Sequence, residues 1–175
     1  MFKILIFLLL FTLSLGKFSQ RFYHLHLSQG GTIPQVVISA TPNTVGFSLI
    51  EYNFNIYNLP SSIPSDGGLK IIFPSTFLVP GSLNIIPFQG LGSKTTPILS
   101  ISDNTLTITN GAPYSQTKIS FVIFQEDEDK QGITPLTNQT GFIQLSTFQA
   151  NGSLIDSNNS IPISIAPSNF ISKSR

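Results

Sequence analysis

Apolar and polar residues alternate with a period of two along most of this chain. Tyr52, Phe54 and Ile56 alternate with Asn53 and Asn55; Ile119, Phe121 and Ile123 alternate with Ser120 and Val122. Residues 22–27 alternate in the same way, and 35–40 contain the β-branched run Val36-Val37-Ile38. This period marks half-buried strands, and no stretch after Gly16 shows the 3.6-residue period of an amphipathic helix. Val45, Phe47 and Leu49 lie on one parity, whereas Tyr52, Phe54 and Ile56 lie on the other. A strand cannot keep both sets on one face, so a bulge or bend is expected near Leu49-Ile50-Glu51.

Turn chemistry separates the runs. Residues 59–68 hold Pro60, Pro64 and Gly67-Gly68 and read as a connection into a strand at 69–73, closed by Pro74. An extended piece follows at 76–79. The prolines and glycines of 80–97 predict mostly irregular structure. Asp103-Asn104 joins 98–102 to 106–109 as a hairpin. Asn151-Gly152, between 141–149 and 154–156, is the strongest short hairpin signal in the chain. Ile161, Ile163 and Ile165 form a last strand, which Pro162 places at an edge. About seven to nine short strands with such turns predict an all-β fold, an immunoglobulin-like antiparallel β-sandwich, with a closed barrel as the alternative. The expected buried stripe is Phe47, Tyr52, Phe54, Ile56, Ile71, Phe73, Ile119, Phe121, Ile123 and Phe148, with Ser120 and Val122 pointing outward.

The chain has 175 residues, 9 Lys+Arg, 8 Asp+Glu and no cysteine. Near-zero charge removes the electrostatic footprint of a nucleic-acid binder. Absent cysteine excludes thiolate metal sites, thiol nucleophiles and disulfides. Burial alone must hold the fold, and a domain of about 130 to 150 residues buries roughly two-thirds of its unfolded surface.

Residues 1–16 read as a signal peptide. Met1-Phe2-Lys3 is a positive start, Ile4 to Leu13 is almost unbroken apolar sequence, and Ser14-Leu15-Gly16 offers small residues at the cleavage positions. An apolar run of ~10 residues is about half of what a bilayer-spanning helix needs. The expected organisation is a signal peptide over 1–16, an N-terminal segment over 17–34, a β-sandwich over 35–166 and a tail over 167–175. The product is then secreted or held at the extracellular surface, with no membrane span after cleavage. The acceptor triplets at Asn138, Asn151 and Asn158 fit that compartment and predict a glycoprotein.

Three constellations carry candidate chemistry. His24 and His26 share one strand face, but without cysteine or a nearby acid they read as exposed polar residues, not ligands. Glu126-Asp127-Glu128-Asp129 holds half of the acidic residues. Four adjacent carboxylates repel unless solvated or neutralised, so the run is a candidate calcium site, with Asp103 or Asp156 as candidates to complete it, or a solvated loop tip that discourages edge pairing. Tyr57, Phe88 and Tyr114, beside Asn58, Gln89 and Gln116, form a candidate sugar-stacking set, without the large face of tryptophan. No G-x-S-x-G elbow is present, and nothing points to an enzyme or a cofactor.

Thr41-Pro42-Asn43-Thr44-Val45-Gly46, then 52–56 with Leu69-Lys70-Ile71-Ile72-Phe73-Pro74, and finally Gly141-Phe142 through Asn151-Gly152 to Ile155-Asp156-Ser157 follow in an order that resembles a β-sandwich module of repetitive exported surface proteins of ciliated protists. The resemblance covers residues 35–166. It implies a structural or adhesive role and brings no catalytic residues. Members usually occur in tandem and often carry cysteines, whereas this chain has one copy and none. The resulting expectation is a secreted, non-catalytic module of a cell-surface or extracellular assembly. Its expected partners are other surface proteins, copies of itself through sheet edges, or glycans. A carbohydrate-binding module and a calcium-dependent adhesion domain are the alternatives.

Overall fold

The computed structural model describes residues 30–41, 51–91, 96–110, 118–126, 132–135 and 141–163. Twelve strands form among them: β1 (Gly31–Thr32), β2 (Gln35–Thr41), β3 (Glu51–Tyr57), β4 (Gly68–Ile72), β5 (Phe77–Leu78), β6 (Asn84–Gln89), β7 (Ile98–Ser102), β8 (Thr105–Thr109), β9 (Lys118–Phe124), β10 (Thr134–Pro135), β11 (Gly141–Phe148) and β12 (Leu154–Ile163). A six-stranded sheet runs β1-β12-β11-β4-β8-β7, a four-stranded sheet runs β2-β3-β9-β6, and β10 pairs with β5. Every pairing is antiparallel except β1 with β12. The protein is thus an all-β sandwich of open sheets, not a closed barrel.

The two large sheets meet through the side chains that the pleat sends to one face of each. From the four-stranded sheet come Tyr52, Phe54, Ile56, Ile119, Phe121 and Ile123; from the six-stranded sheet come Leu69, Ile71, Leu106, Ile108, Ile143 and Leu145. Phe54 stacks on Phe121 with ring centroids 5.0 Å apart. Phe73, beyond the end of β4, sets its ring edge-on to Tyr52 at 5.5 Å and to Phe54 at 6.5 Å. Aromatic pairs in such arrangements contribute about 0.5–1.5 kcal/mol beyond area burial. They help a cysteine-free core hold together. The Tyr52 hydroxyl donates to the Ile133 carbonyl at 3.5 Å, and burial raises its phenol pKa well above the usual range.

Several details depart from the sequence reading. The span 80–97 contains a real strand, β6, because an edge position tolerates the missing N–H of Pro87. β12 continues through 154–163 as one strand, so the expected separate strands at 154–156 and 161–165 merge. Among the described residues, Pro162 sits where only β11 pairs with β12, since β1 pairs no farther than Ser157. The six-stranded sheet begins at Gly31, ahead of the expected boundary at 35, and Ile33 is fully buried. Ser120 and Val122 keep the parity opposite to Ile119, Phe121 and Ile123 and stand outside the core cluster, but on a strand flanked by β3 and β6 both are buried. Phe148 leaves the expected stripe. Ile143, Leu145 and Thr147 take the inward parity of β11, which turns Phe148, only half-buried, to the outer face. Phe47, the expected bulge at 49–51, the expected strand at 22–27 with His24 and His26, and the segment 1–16 lie outside the described residues.

Candidate binding face

The outer face of the six-stranded sheet is organised in rows. Register sets Ser157 opposite Ser146, Ser146 opposite Lys70, Lys70 opposite Thr107 and Thr107 opposite Ser100. One ammonium therefore sits among four hydroxyls in a line across five strands. The neighbouring row is apolar at both ends: Leu154, Phe148, Gly68, Thr109 and Ile98. Lys70, Thr107, Ser146, Phe148, Gly152 and Leu154 line a hollow of about 350 Å³ between the rows. No carboxylate belongs to this lining. The Phe148 ring lies against Gly68, where an added Cβ would meet its Cζ at 2.7 Å. The missing side chain at Gly68 thus leaves the space that the ring edge occupies.

The hairpin that carries Phe148 and Leu154 is fixed locally. Gly152 has φ +81°, the left-handed conformation that glycine adopts without strain, and its N–H donates to the Gln149 carbonyl at 2.8 Å. Asn151 Oδ1 accepts from the Ser153 N–H at 2.9 Å. One strand turn further, Asp156 is fully buried. Its carboxylate accepts from the Ser61 N–H and the Ser61 hydroxyl, each at 3.1 Å, and its own N–H donates to Thr147 Oγ1 at 3.0 Å. These bonds tie the 59–63 connection to β12 behind the hollow and meet the demand that a buried carboxylate be hydrogen-bonded.

Of the sugar-stacking candidates, Tyr57 ends β3 and Phe88 lies on β6, on strands either side of β9. Phe88 is 66% exposed. Tyr57 already has a partner: Lys118 Nζ stands 5.3 Å from its ring centroid, a cation–π distance. Tyr114 lies outside the described residues. Of the acidic run, Glu126 is exposed and its Oε2 accepts from Asn84 Nδ2 at 3.1 Å. Asp127, Glu128 and Asp129 lie outside the described residues. Asp156, one candidate to complete that site, is committed to Ser61, and Asp103 sits in the β7–β8 turn. Among the acceptor asparagines, Asn151 is exposed at its hairpin tip; Asn158 is half-buried and its Nδ2 donates to the Ile33 carbonyl at 2.9 Å. Asn138 lies outside the described residues.

The outer-face hollow was missed by sequence reasoning. The outward parity of Lys70 within 69–73 was a signal for one of its residues, but Thr107 and Ser146 join it only through strand order.

No protein-family model and no curated protein matches the chain. Among solved structures, it is similar to a cohesin module from a Clostridium perfringens ATCC13124 family 33 glycoside hydrolase, with 13% identity over 78% of this chain and 99% of that one and a TM-score of 0.44. It is also similar to the collagen-binding domain from a Staphylococcus aureus adhesin, with 13% identity over 77% of this chain and 97% of that one and a TM-score of 0.38.

Proposed function

We propose that the chain is a secreted, non-catalytic β-sandwich module with a structural or adhesive role in a cell-surface or extracellular assembly. The observation that carries this reading is the row Ser157–Ser146–Lys70–Thr107–Ser100 beside the Phe148 hollow. It is a broad strand-borne face that offers hydroxyls, one cation and one aromatic, and among the described residues no carboxylate or histidine belongs to the row or to the lining of the hollow. Such a surface associates through shape and hydrogen bonding more than through charge steering. The apolar run at 4–13 and the acceptor triplets support export and glycosylation. The order of motifs shared with the surface modules of ciliated protists belongs to the same proposal.

A second reading, carbohydrate binding, is favoured by the same hollow, because an aromatic ring flanked by hydroxyls and an ammonium suits a sugar ring. Tyr57 and Phe88 on the opposite sheet, with Tyr114, are the other aromatic candidates for this reading.

Stripping the native surface and cross-linking tests the first reading. The expected result is a processed chain lacking residues 1–16, joined to surface proteins, and the joining is weakened by Lys70→Glu with Phe148→Ala. Recovery from the cytosol with residues 1–16 intact overturns it. A glycan array decides the second: retention that Phe148→Ala removes supports it, and no retention on any glycan discards it.

A further inference from the structure

We propose that two copies of this chain join through β7, edge to edge and antiparallel about a twofold axis at Ser100, making one continuous sheet of twelve strands. β7 ends the six-stranded sheet, and among the described residues it pairs only with β8. An open strand edge is a row of unpaired N–H and C=O groups, and proteins that do not use such an edge guard it with charge, proline, a bulge or extreme shortness. The other edges are guarded. β6 carries Pro87, a register shift between Pro87 and Gln89, and Gly90 at φ +74°. β1 has two residues. β2 has β12 beside it. β7, with the sequence Ile-Leu-Ser-Ile-Ser, follows Pro97 but has no proline, charge or register shift within it.

The register of the pairing follows from the hairpin. Asp103-Asn104 is a two-residue loop, so Ser102 and Thr105 exchange their backbone hydrogen bonds, as do Ser100 with Thr107 and Ile98 with Thr109. The N–H and C=O groups of Leu99 and Ile101 therefore point to the open edge. In a twofold antiparallel pair Leu99 meets Ile101 of the other copy at both ends, giving four backbone hydrogen bonds, and Ser100 faces its own counterpart at the centre. Faces match as well. Leu99 and Ile101 pack against the core yet remain half-buried, and the pairing brings them side by side. Ser100 is exposed and lies on the outer face. The strand brings no like charges opposite one another, and the two Asp103 turns fall at opposite ends.

The partner is a second copy because the strand is complementary to itself in this register without any change of face. Five-residue pairing covers little area, so the association is weak and becomes significant where copies are concentrated on a surface. The joint takes in Ser100, the last hydroxyl of the outer row, whereas the hollow is lined from β4, β8, β11 and β12 and lies inboard of it.

Sedimentation of the full secreted chain over a concentration series tests the pairing. The expected result is an average mass rising from one copy toward two. Ser100→Lys and Ser100→Glu each place like charges face to face and weaken the association by about tenfold or more, while an equal mixture of the two associates again. Residues facing across a non-hydrogen-bonded antiparallel position have Cα atoms about 4.5 Å apart, within disulfide reach. Ser100→Cys is therefore expected to oxidise to a covalent dimer, whereas Thr107→Cys, one strand inboard, is not. A monomer at every concentration, or association that both charged variants leave unchanged, overturns the proposal.

Discussion

Gly31 and Asp156 face each other across the parallel pairing of β1 with β12, and a methyl group on Gly31 would run into the Asp156 carboxylate and the Pro60 ring. The carboxylate cannot retreat easily, because both of its oxygens are held by Ser61. Gly31→Ala is therefore expected to lower stability by about 1–3 kcal/mol, read as a shift in the urea midpoint. Gly81→Ala is the control, because nothing lies within 4 Å of its added Cβ.

Removing the carboxylate has a separate cost. Asp156→Ala leaves the Ser61 N–H and hydroxyl without their acceptors, an expected loss of about 1–3 kcal/mol. In the double variant the two effects should fall short of their sum by about 0.5 kcal/mol or more, because the methyl group on residue 31 no longer meets an oxygen. Strict additivity in the urea midpoints would show that the two side chains do not share this space.

Glycan attachment should distinguish the two described acceptor sites. Asn151 stands exposed at a hairpin tip, whereas Asn158 is half-buried and spends an amide N–H on the Ile33 carbonyl at 2.9 Å. Expression through a glycosylating secretory pathway, followed by peptide mass spectrometry, is expected to find sugar on Asn151 and little on Asn158. Asn158→Ala should lower the melting temperature, while Asn151→Ala should change it far less.

Alkaline pH should act through Tyr52. Its folded pKa is raised by burial, so the folded chain keeps the proton while the unfolded chain ionises near the ordinary tyrosine value of about 10. The stabilising contribution is fully present below pH 10 and declines above it, by about 1.4 kcal/mol per pH unit until the folded pKa is reached. Tyr52→Phe is expected to flatten that part of the profile relative to the parent chain. Equal alkaline slopes in the two proteins would assign the loss to other groups.

The legible parts of this fold are those where one period runs without interruption. Tyr52, Phe54 and Ile56 on β3, and Ile119, Phe121 and Ile123 on β9, are buried as their alternation required. The Asp103-Asn104 turn also stands as read, pinned by the Asn104 carbonyl accepting from the Phe73 N–H at 2.9 Å. Where neighbours decide, the sequence pattern was insufficient. Pro87 argued against a strand because its edge position was unknown, and Val122 looked exposed because its flanking strands were unknown. Phe148 looked like core because its own size outweighed the parity of Thr147. The binding face was the least legible part, since Lys70, Thr107 and Ser146 are far apart in the chain and meet only in the register of β4, β8 and β11.

The parallel pairing of β1 with β12 has a mechanical consequence. The chain enters β1 beside Asp156 and leaves β12 at Ile163, seven residues and about 23 Å farther along the same direction. Tension applied before residue 30 and after residue 163 would pull the two strands past each other, not peel them apart. The Ile33 N–H to Ser157 carbonyl bond and the Asn158 to Ile33 bond would then share the load with the ladder, so this flank resists extension as a clasp loaded in shear.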